Sequence, residues 1–507
     1  MKAVILAGGS GVRFRPLTFS KPKPMLPLLN KPLVEHILDY IIGHGITEVC
    51  ITTNYRREQI INSLGLEYKG VKLSYPFEEE PLGTAGSVKN IQNLLDETFV
   101  VIQGDTISDI DISSLVRDHH YNAGLVTIAT TTVDDPWNYG VVETEDGGRI
   151  KRFHEKPQAN ECATNQINTG LYVVEPEALD MIPEKTFYDF AKDLFPKLVE
   201  RGSIYASKSD GFWADVGRID GYNKAKEWLM GRINTRIPDS MILDGSIEGQ
   251  VYFGENVIVK RGARIVGPVV IGDNSVIDSG STIMPFSSVG NNLTMRANTL
   301  VEGAVLFENS IIGAGNRIQN SLLAEDCVLG ADSSIQANVL IGSSCMLEKN
   351  VSVIEGSRIW PNTFLPQNST VSGTLRSFIP KDEVYNDPLW SLRTVTPDEA
   401  FYFNKLDGSH ILFTGFRARS LLEFSETLKN VEDRSLEYHL RGDVNDFRRW
   451  SNQVLGDMRL ADSMERIKAE FLNAGQNKTF LRSSMAELAS KRLDELVVLV
   501  SKTKLYK

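Results

Sequence analysis

Basic charge is in short supply in this 507-residue chain. Its 54 Lys and Arg face 65 Asp and Glu, giving a formal net charge of −11. That balance argues against a general binder of nucleic acid or of a membrane surface, so any phosphate site must be a local basic pocket. Cysteine is scarce as well. Cys50, Cys162, Cys327 and Cys345 are scattered and form no CxxC pair. They suit reduced thiols in a cytoplasmic protein better than a disulfide framework or a zinc site. Only one lysine and the apolar run Ala3–Ala7 precede Gly8, which is too little for a signal peptide. No apolar stretch is long enough to span a bilayer, so no membrane partner is expected. Histidine is missing altogether from residues 247–370.

What is present divides into three segments, about the number a chain of this length suggests. Residues 1–235 alternate strand-like runs (AVILA, EVCITT, VKLSY, FVVIQ, LVTIATT) with helical ones near 31–43, 56–64, 84–95 and 113–120. Such alternation predicts an α/β domain with a mostly parallel, Rossmann-like sheet and ligands at the carboxyl ends of its strands. Shorter strands near 140–174 are expected to form an added antiparallel layer. Residues 245–375 carry a repeat of six. Apolar residues recur from Ile247 through Phe253, Val259 and Ile265 to Val301 and Phe307, and after a phase slip from Leu323 to Leu365. Hexapeptide periodicity predicts a parallel β-helix with the periodic residue pointing inward. A linker-like stretch, IPKDEVYNDPLW, leads to residues 390–507. These read as two short strands followed by charged helices, a small and mostly helical domain to which no chemistry is assigned.

The first strand ends in an unusual way, in VILAGGSGVRFRPLT (4–18). Gly8, Gly9 and Gly11 lack Cβ atoms, so the backbone can turn sharply and come close to a ligand. Its amides can form an anion nest, and Arg13 and Arg15 add forked donors that match phosphate oxygens. A plain glycine turn with two solvated arginines is the other reading of these residues alone. Lys21 and Lys23 follow in SKPKPMLP, held extended by proline. LGTAGS (82–87) is a second small-residue turn at a strand end. Asp105 in QGDT closes strand FVVIQ, and a second acid, Asp215, stands in GFWADVG. Two carboxylates plus substrate phosphates are a common way to hold Mg²⁺. Glu155 and Lys156 in HEKP, and Asn168 in INTG, are of the kind that bind sugar hydroxyls and phosphate. Each of these groups alone also fits a turn, a cap or a solvated surface.

Together, GGSGVRFRPLT, KPKPMLP, EEEPLGTAGS, GDT, YGVV, RFHEKPQ, INTGLYV and GFWADVG, in that order, resemble the sugar-1-phosphate nucleotidyltransferases. Among them the mannose-1-phosphate guanylyltransferases are most similar, and the resemblance covers about residues 1–370. It implies that the β-helix is left-handed. It implies a nucleotide site at Leu6, Ala7, Gly8, Gly9, Gly11, Glu80 and Gly83, with Arg13 and Lys23 as the catalytic cations. It further implies a sugar-phosphate site at Gly140, Glu155, Lys156 and Asn168, and Mg²⁺ held by Asp105 and Asp215. The sequence departs from the family pattern at Val12, Phe14, Gln103 and Arg218. None of these removes a charge the chemistry needs, but they loosen the inference about nucleotide and sugar.

The implied partners are a nucleoside triphosphate and a sugar 1-phosphate, and a homo-oligomer assembled through the β-helix is expected. The implied reaction is attack by the sugar phosphate on the nucleotide α-phosphorus, with loss of pyrophosphate. The nucleophile is already anionic, so the work is positioning and charge stabilisation. For the base, guanine presents two adjacent donors and an ionised carboxylate is an acceptor only, so Glu78, Glu79 or Glu80 can read it. GTP and mannose 1-phosphate are the expected substrates. A glucose-1-phosphate uridylyl- or thymidylyltransferase is the alternative within the class. An acetyltransferase on the β-helix is disfavoured, since acyltransferases of that type rely on a histidine and residues 247–370 have none. A non-catalytic sensor of nucleotide sugars is disfavoured because Arg13, Lys23 and both aspartates are present.

Overall fold

The computed structural model describes residues 1–78, 80–380, 384–385, 387–473 and 477–505. Glu79 and part of the linker-like stretch (381–383 and 386) lie outside the described residues. The chain divides into two compact units, one of residues 1–14 and 21–232, the other of 15–20 and 233–507. No helix among the described residues is long and apolar enough to cross a membrane.

The first unit is built on strands whose apolar runs are buried on both faces, as a sheet covered by helices requires. Strand β1 (Lys2–Leu6) lies at its centre, parallel to β2 (Glu48–Thr52) on one side. On its other side is β4 (Phe99–Gln103), also parallel, while β3 (Val71–Ser74) continues the sheet beyond β2. Helix α1 (Leu33–Ile42) follows the lysine-bearing loop, α2 (Arg57–Leu64) follows β2, and α3 (Gly83–Lys89) opens at the second glycine turn. Helix α4 (Ile112–Asn122) is capped by Asp111, which accepts from the amides of Ser113 and Ser114.

The segment near 140–174 is antiparallel, as expected, but differs in where it lies. It forms no separate layer but extends the same sheet. Strand β9 (Gln166–Val174) pairs antiparallel with β4, Leu171 opposite Ile102. It also pairs with β6 (Val126–Thr132) and, at Ile167, with β7 (Gly140–Thr144). Strand β8 (Ile150–Glu155) completes that edge against β7. Apolar residues such as Val142 and Tyr172 join the same buried cluster as Val4 and Val101, so one core serves all of these strands. A short ribbon, β5 (Thr106–Ser108) against β11 (Trp213–Asp215), stands apart from the sheet; between them in sequence β10 (Ile204–Lys208) pairs with β6.

The second unit contains the parallel β-helix. Val259 pairs with Ile277, Ile277 with Met295, Met295 with Ile312, and Ile312 with Leu329. All five are buried in one continuous core. Chain reversal between faces needs left-handed backbone, which asparagine tolerates better than other residues with a Cβ. Asn256, Asn274, Asn292 and Asn309 each take φ between 53° and 58°. Their amides form a ladder, with successive hydrogen bonds of 3.1, 3.2 and 3.1 Å. The phase slip differs from the one expected. Leu306, not Phe307, enters the helix core, and the six-residue spacing then runs through Ile312 and Ile318 before a second one-residue loss at Leu323.

The end of the β-helix is covered from within the same unit. Strands β12 (Phe401–Asp407) and β13 (His410–Ala418) form a hairpin, and β13 pairs in parallel with Thr370 and Val371 of the last coils. Ile411 joins the β-helix core. Pairing removes a row of edge amides and carbonyls that would otherwise face solvent. Helices follow at Leu421–Asn430, Asp433–His439, Asp446–Gln453, Met458–Asn473 and Lys478–Leu505. They pack on a second core containing Phe401, Phe403, Phe424, Phe447 and Trp450.

Candidate active site

Strand ends β1 and β4 are locked side by side. The Gly104 amide donates to the Leu6 carbonyl at 2.9 Å. A Cβ at 104 would lie only 2.7 Å from that carbonyl, so glycine is required for the approach. The next residue, Asp105, is thereby set beside the Gly8–Gly9 loop. Lys23 arrives from the other direction. It opens a short 3-10 turn (Lys23–Met25) after extended Pro22, and its ammonium, almost fully buried, donates to the Asp105 carboxylate. The second aspartate is brought in by the ribbon. Asp215 on β11 faces Thr106 on β5, and the Val216 amide donates to the Asp105 carbonyl at 2.8 Å. Burial and then the nearby Asp105 charge raise the Asp215 carboxyl above its ordinary value, while Lys23 and Arg13 oppose the rise. A Cβ on Gly217 would meet both the Asp215 carboxylate and, at 2.7 Å, the Arg13 guanidinium. Arg13, Asp215 and Gly217 therefore crowd one point.

Two cavities open on these groups. The first, of about 320 Å³, is lined by Leu6, Ala7, Gly8, Gly9, Lys23 and Gly83 among others. The second, of about 270 Å³, is lined by Arg13, Gly140, Glu155, Lys156, Asn168 and Asp215 among others. Thr84, Gln103, Asp105 and Asp189 border both. Gly11 lines neither cavity. It lies in the left-handed region (φ 62°), where its carbonyl accepts from the Phe14 amide at 2.9 Å.

The end wall of the first cavity is set by Gly83. Its φ is +75°, and a Cβ there would lie 2.6 Å from the Tyr188 carbonyl. That carbonyl accepts from the amides of Ala85 and Gly86, docking the start of α3 onto the 186–190 segment. Of the glutamates in this region, Glu80 is exposed and outside the lining, whereas Glu78 is buried and faces the cavity. One Glu78 carboxylate oxygen (Oε1) is buried without a hydrogen-bond partner, and burial pushes the carboxyl above its ordinary value.

The second cavity is shaped by the β7–β8 pairing, which sets Gly140 opposite Glu155. Burial, more than any charge, raises the Glu155 carboxyl; Lys156, 3.7 Å away, opposes it. Strand β9 changes register between Asn168 and Tyr172, around Gly170 at φ +80°. The Asn168 amide group donates to the Tyr172 hydroxyl at 3.0 Å and accepts from the Gly170 amide at 2.8 Å. Trp213 forms another wall, its indole N–H donating to the Thr169 carbonyl at 2.8 Å.

Thr84 and Asp189, which border both cavities, carry no role in the sequence reading. The Thr84 hydroxyl donates to the Asp189 carboxylate at 2.9 Å, tying α3 to the loop before Phe190. Thr84 sits inside the LGTAGS motif, and Asp189 has the signature of a helix cap, accepting from the amides of Ala191 and Lys192. Among the described residues no group of three or more His, Cys, Asp or Glu could hold a metal ion. A divalent ion here would be bound by the Asp105 and Asp215 carboxylates together with substrate phosphates, an arrangement typical of Mg²⁺.

Residues 2–230 match the family model described as nucleotidyl transferase, and residues 248–353 match the model described as EIF2B subunit epsilon LbH domain. The chain is similar to a UTP–glucose-1-phosphate uridylyltransferase of Synechocystis, with 37% identity over 350 residues, covering 62% of this chain and 85% of that relative. It is also similar to a mannose-1-phosphate guanyltransferase of Eremothecium gossypii, 35% identical over 274 residues (53% of this chain, 73% of the relative). A mannose-1-phosphate guanylyltransferase catalytic subunit beta of Drosophila pseudoobscura is 35% identical over 269 residues, covering 52% and 72%.

Proposed function

Because this chain belongs to the nucleotidyl transferase family, we propose that it transfers a nucleotidyl group from a nucleoside triphosphate to a sugar 1-phosphate, with GTP and mannose 1-phosphate as substrates. The observation that carries the reading is the pair of cavities that share Asp105. One is bordered by glycine backbone and Lys23, the other by Gly140, Glu155, Lys156 and Asn168. Such a pair suits two phosphorylated reactants meeting at a common wall.

In the reaction, an oxygen of the sugar phosphate forms a bond to the nucleotide α-phosphorus, and the bond from that phosphorus to the β-phosphate oxygen breaks. Pyrophosphate leaves with the electron pair. No base is needed. Lys23 and Arg13 stabilise charge on the transferring and leaving phosphates, and the amides after β1 hold the triphosphate. Glu155 and Asn168 orient the sugar, and Lys156 neutralises its phosphate. Asp105 and Asp215 fit Mg²⁺, which when bound supplies further neutralisation of the polyphosphate.

The guanine assignment rests on Glu78. Glu78 lines the first cavity; a carboxylate is an acceptor only, and the guanine Watson–Crick edge offers two adjacent donors. The uridylyltransferase relative makes UTP with glucose 1-phosphate the competing pair. Pyrophosphate release with Mg²⁺, measured over GTP, UTP, dTTP, ATP and CTP against mannose, glucose and glucosamine 1-phosphates, tests both. The highest kcat/KM is expected for GTP with mannose 1-phosphate. A maximum at another pair corrects the substrates, and no release with any pair overturns the enzyme reading.

A further inference from the structure

The second unit holds a cationic cleft that the reaction does not use. It has a volume of about 370 Å³ and is lined in part by Arg15, Arg358, Arg376 and Arg417. Arg15 belongs to the short 15–20 segment that groups with this unit. The other three lie beyond the segments matched by either family model.

Neighbouring strands of the fold bring these residues together. Arg358 precedes the inward-facing Ile359 and pairs with Thr374 in the adjacent coil, so alternation turns its side chain outward. Arg376 comes directly after the last β-helix strand. Arg417 lies opposite Tyr402 in the β12–β13 hairpin. Beneath them Trp360 and Tyr402 are nearly buried and meet edge to face, 5.6 Å between ring centres. The Arg376 guanidinium lies over both rings, at 6.0 Å and 5.7 Å. The aromatic pair thus serves as a floor that steadies a cation rather than as a surface open to a ligand.

The charges in the cleft do not balance. Arg15 makes a two-pronged pair with Asp398, at 3.0 and 2.9 Å. Arg358 donates to a neutral acceptor, the Asn338 carbonyl, at 3.0 Å. Among the described residues no carboxylate pairs with Arg358, Arg376 or Arg417. Asp398 is the only carboxylate among the described lining residues, against four guanidiniums. In a chain of net charge −11 such a concentration is local. Several planar forks around one cleft match the oxygens of linked phosphates.

We propose that this cleft binds the diphosphate group of a small phosphorylated molecule, at a site separate from the two cavities of the first unit. A bound diphosphate bridges Arg358, Arg376 and Arg417 and competes with Asp398 for Arg15.

Equilibrium dialysis of the full chain with labelled inorganic pyrophosphate tests the proposal. Beyond any pyrophosphate held as product in the first unit, wild-type protein is expected to bind one that Arg376→Ala/Arg417→Ala loses or binds at least ~10-fold more weakly, the scale of losing charged hydrogen bonds. Arg13→Ala/Lys23→Ala, altered only in the first unit, keeps that site. Asp398→Asn removes the competing carboxylate and is expected to tighten binding several-fold, a gain that misfolding does not produce. Equal affinity for pyrophosphate and GDP assigns recognition to the diphosphate alone. Tighter binding of GDP that is still lost in Arg376→Ala/Arg417→Ala adds a nucleoside contact. Unchanged stoichiometry and affinity in that variant overturns the proposal, as does weaker binding by Asp398→Asn.

Discussion

Lys23 donates directly to the Asp105 carboxylate at the wall where the two cavities of the first unit meet. The lysine is almost fully buried and the aspartate partly so. Such a pair holds a cation at the reacting centre before any phosphate arrives, so its position costs no reorganisation during the reaction. Asp215 and Arg13 complete a group of two carboxylates and two cations contributed by separate segments of the chain.

Loss of either kind of charge is expected to fall on the chemical step. Arg13→Ala and Asp105→Ala should each lower kcat by at least ~100-fold, the scale of losing one preorganised group. Steady-state pyrophosphate release is the measurement. Activity within a few-fold of wild type removes these residues from the reacting centre.

Glu78→Gln should change base choice more than rate. The amide keeps one acceptor but adds a donor, which is mismatched to the donor pair of guanine. A charged hydrogen bond contributes about 1.5–3 kcal/mol, so the ratio of kcat/KM for GTP over UTP should fall roughly 10- to 100-fold. An unchanged ratio assigns base reading to another residue.

Acid should weaken the first unit through His36. Its Nε2 lies 2.8 Å from the Leu28 carbonyl, and burial pushes the imidazole down to about 4 from an ordinary 6.5. The folded state therefore binds fewer protons than the unfolded chain. The stability this contributes is complete above about pH 6.5 and is lost as pH falls through about 4, at most about 3 kcal/mol in all. Denaturant unfolding from pH 7 to pH 4 should show a shallower decline in His36→Gln, whose side chain can still donate to Leu28. Parallel declines in the two proteins would exclude His36 as the source.

Much of this architecture was legible from local pattern. The β-helix repeats one inward position every six residues, so Val259, Ile277 and Met295 declare themselves without any knowledge of contacts. The slip was misplaced at Phe307 because two adjacent apolar residues, Leu306 and Phe307, offer the same signal when a coil loses one residue. At the site, glycine turns and strand-end acids are local features and could be read. Glu78 and Glu80 could not be told apart, since burial of one and exposure of the other is set by tertiary packing and not by local sequence. Asp189 was missed for the same kind of reason: its partner Thr84 is 105 residues away in sequence. The antiparallel edge read as a separate layer because strand pairing, unlike strand formation, leaves no periodic trace.

Gly140 gives a way to separate the two cavities by kinetics. It sits opposite Glu155, and a Cβ there would lie 2.6 Å from the Phe153 ring and 2.9 Å from the Glu155 carboxylate. Real Cβ atoms do not come that close, so Gly140→Ala must move Glu155, Phe153 or both. A misplacement of about 1 Å can cost on the order of 100-fold in a positioned reaction. The KM for the sugar 1-phosphate is therefore expected to rise at least ~10-fold, with the KM for the nucleotide held within about 2-fold, because Gly140 and Glu155 border only the second cavity. Equal rises in both constants would mean that the two cavities do not bind the two substrates separately.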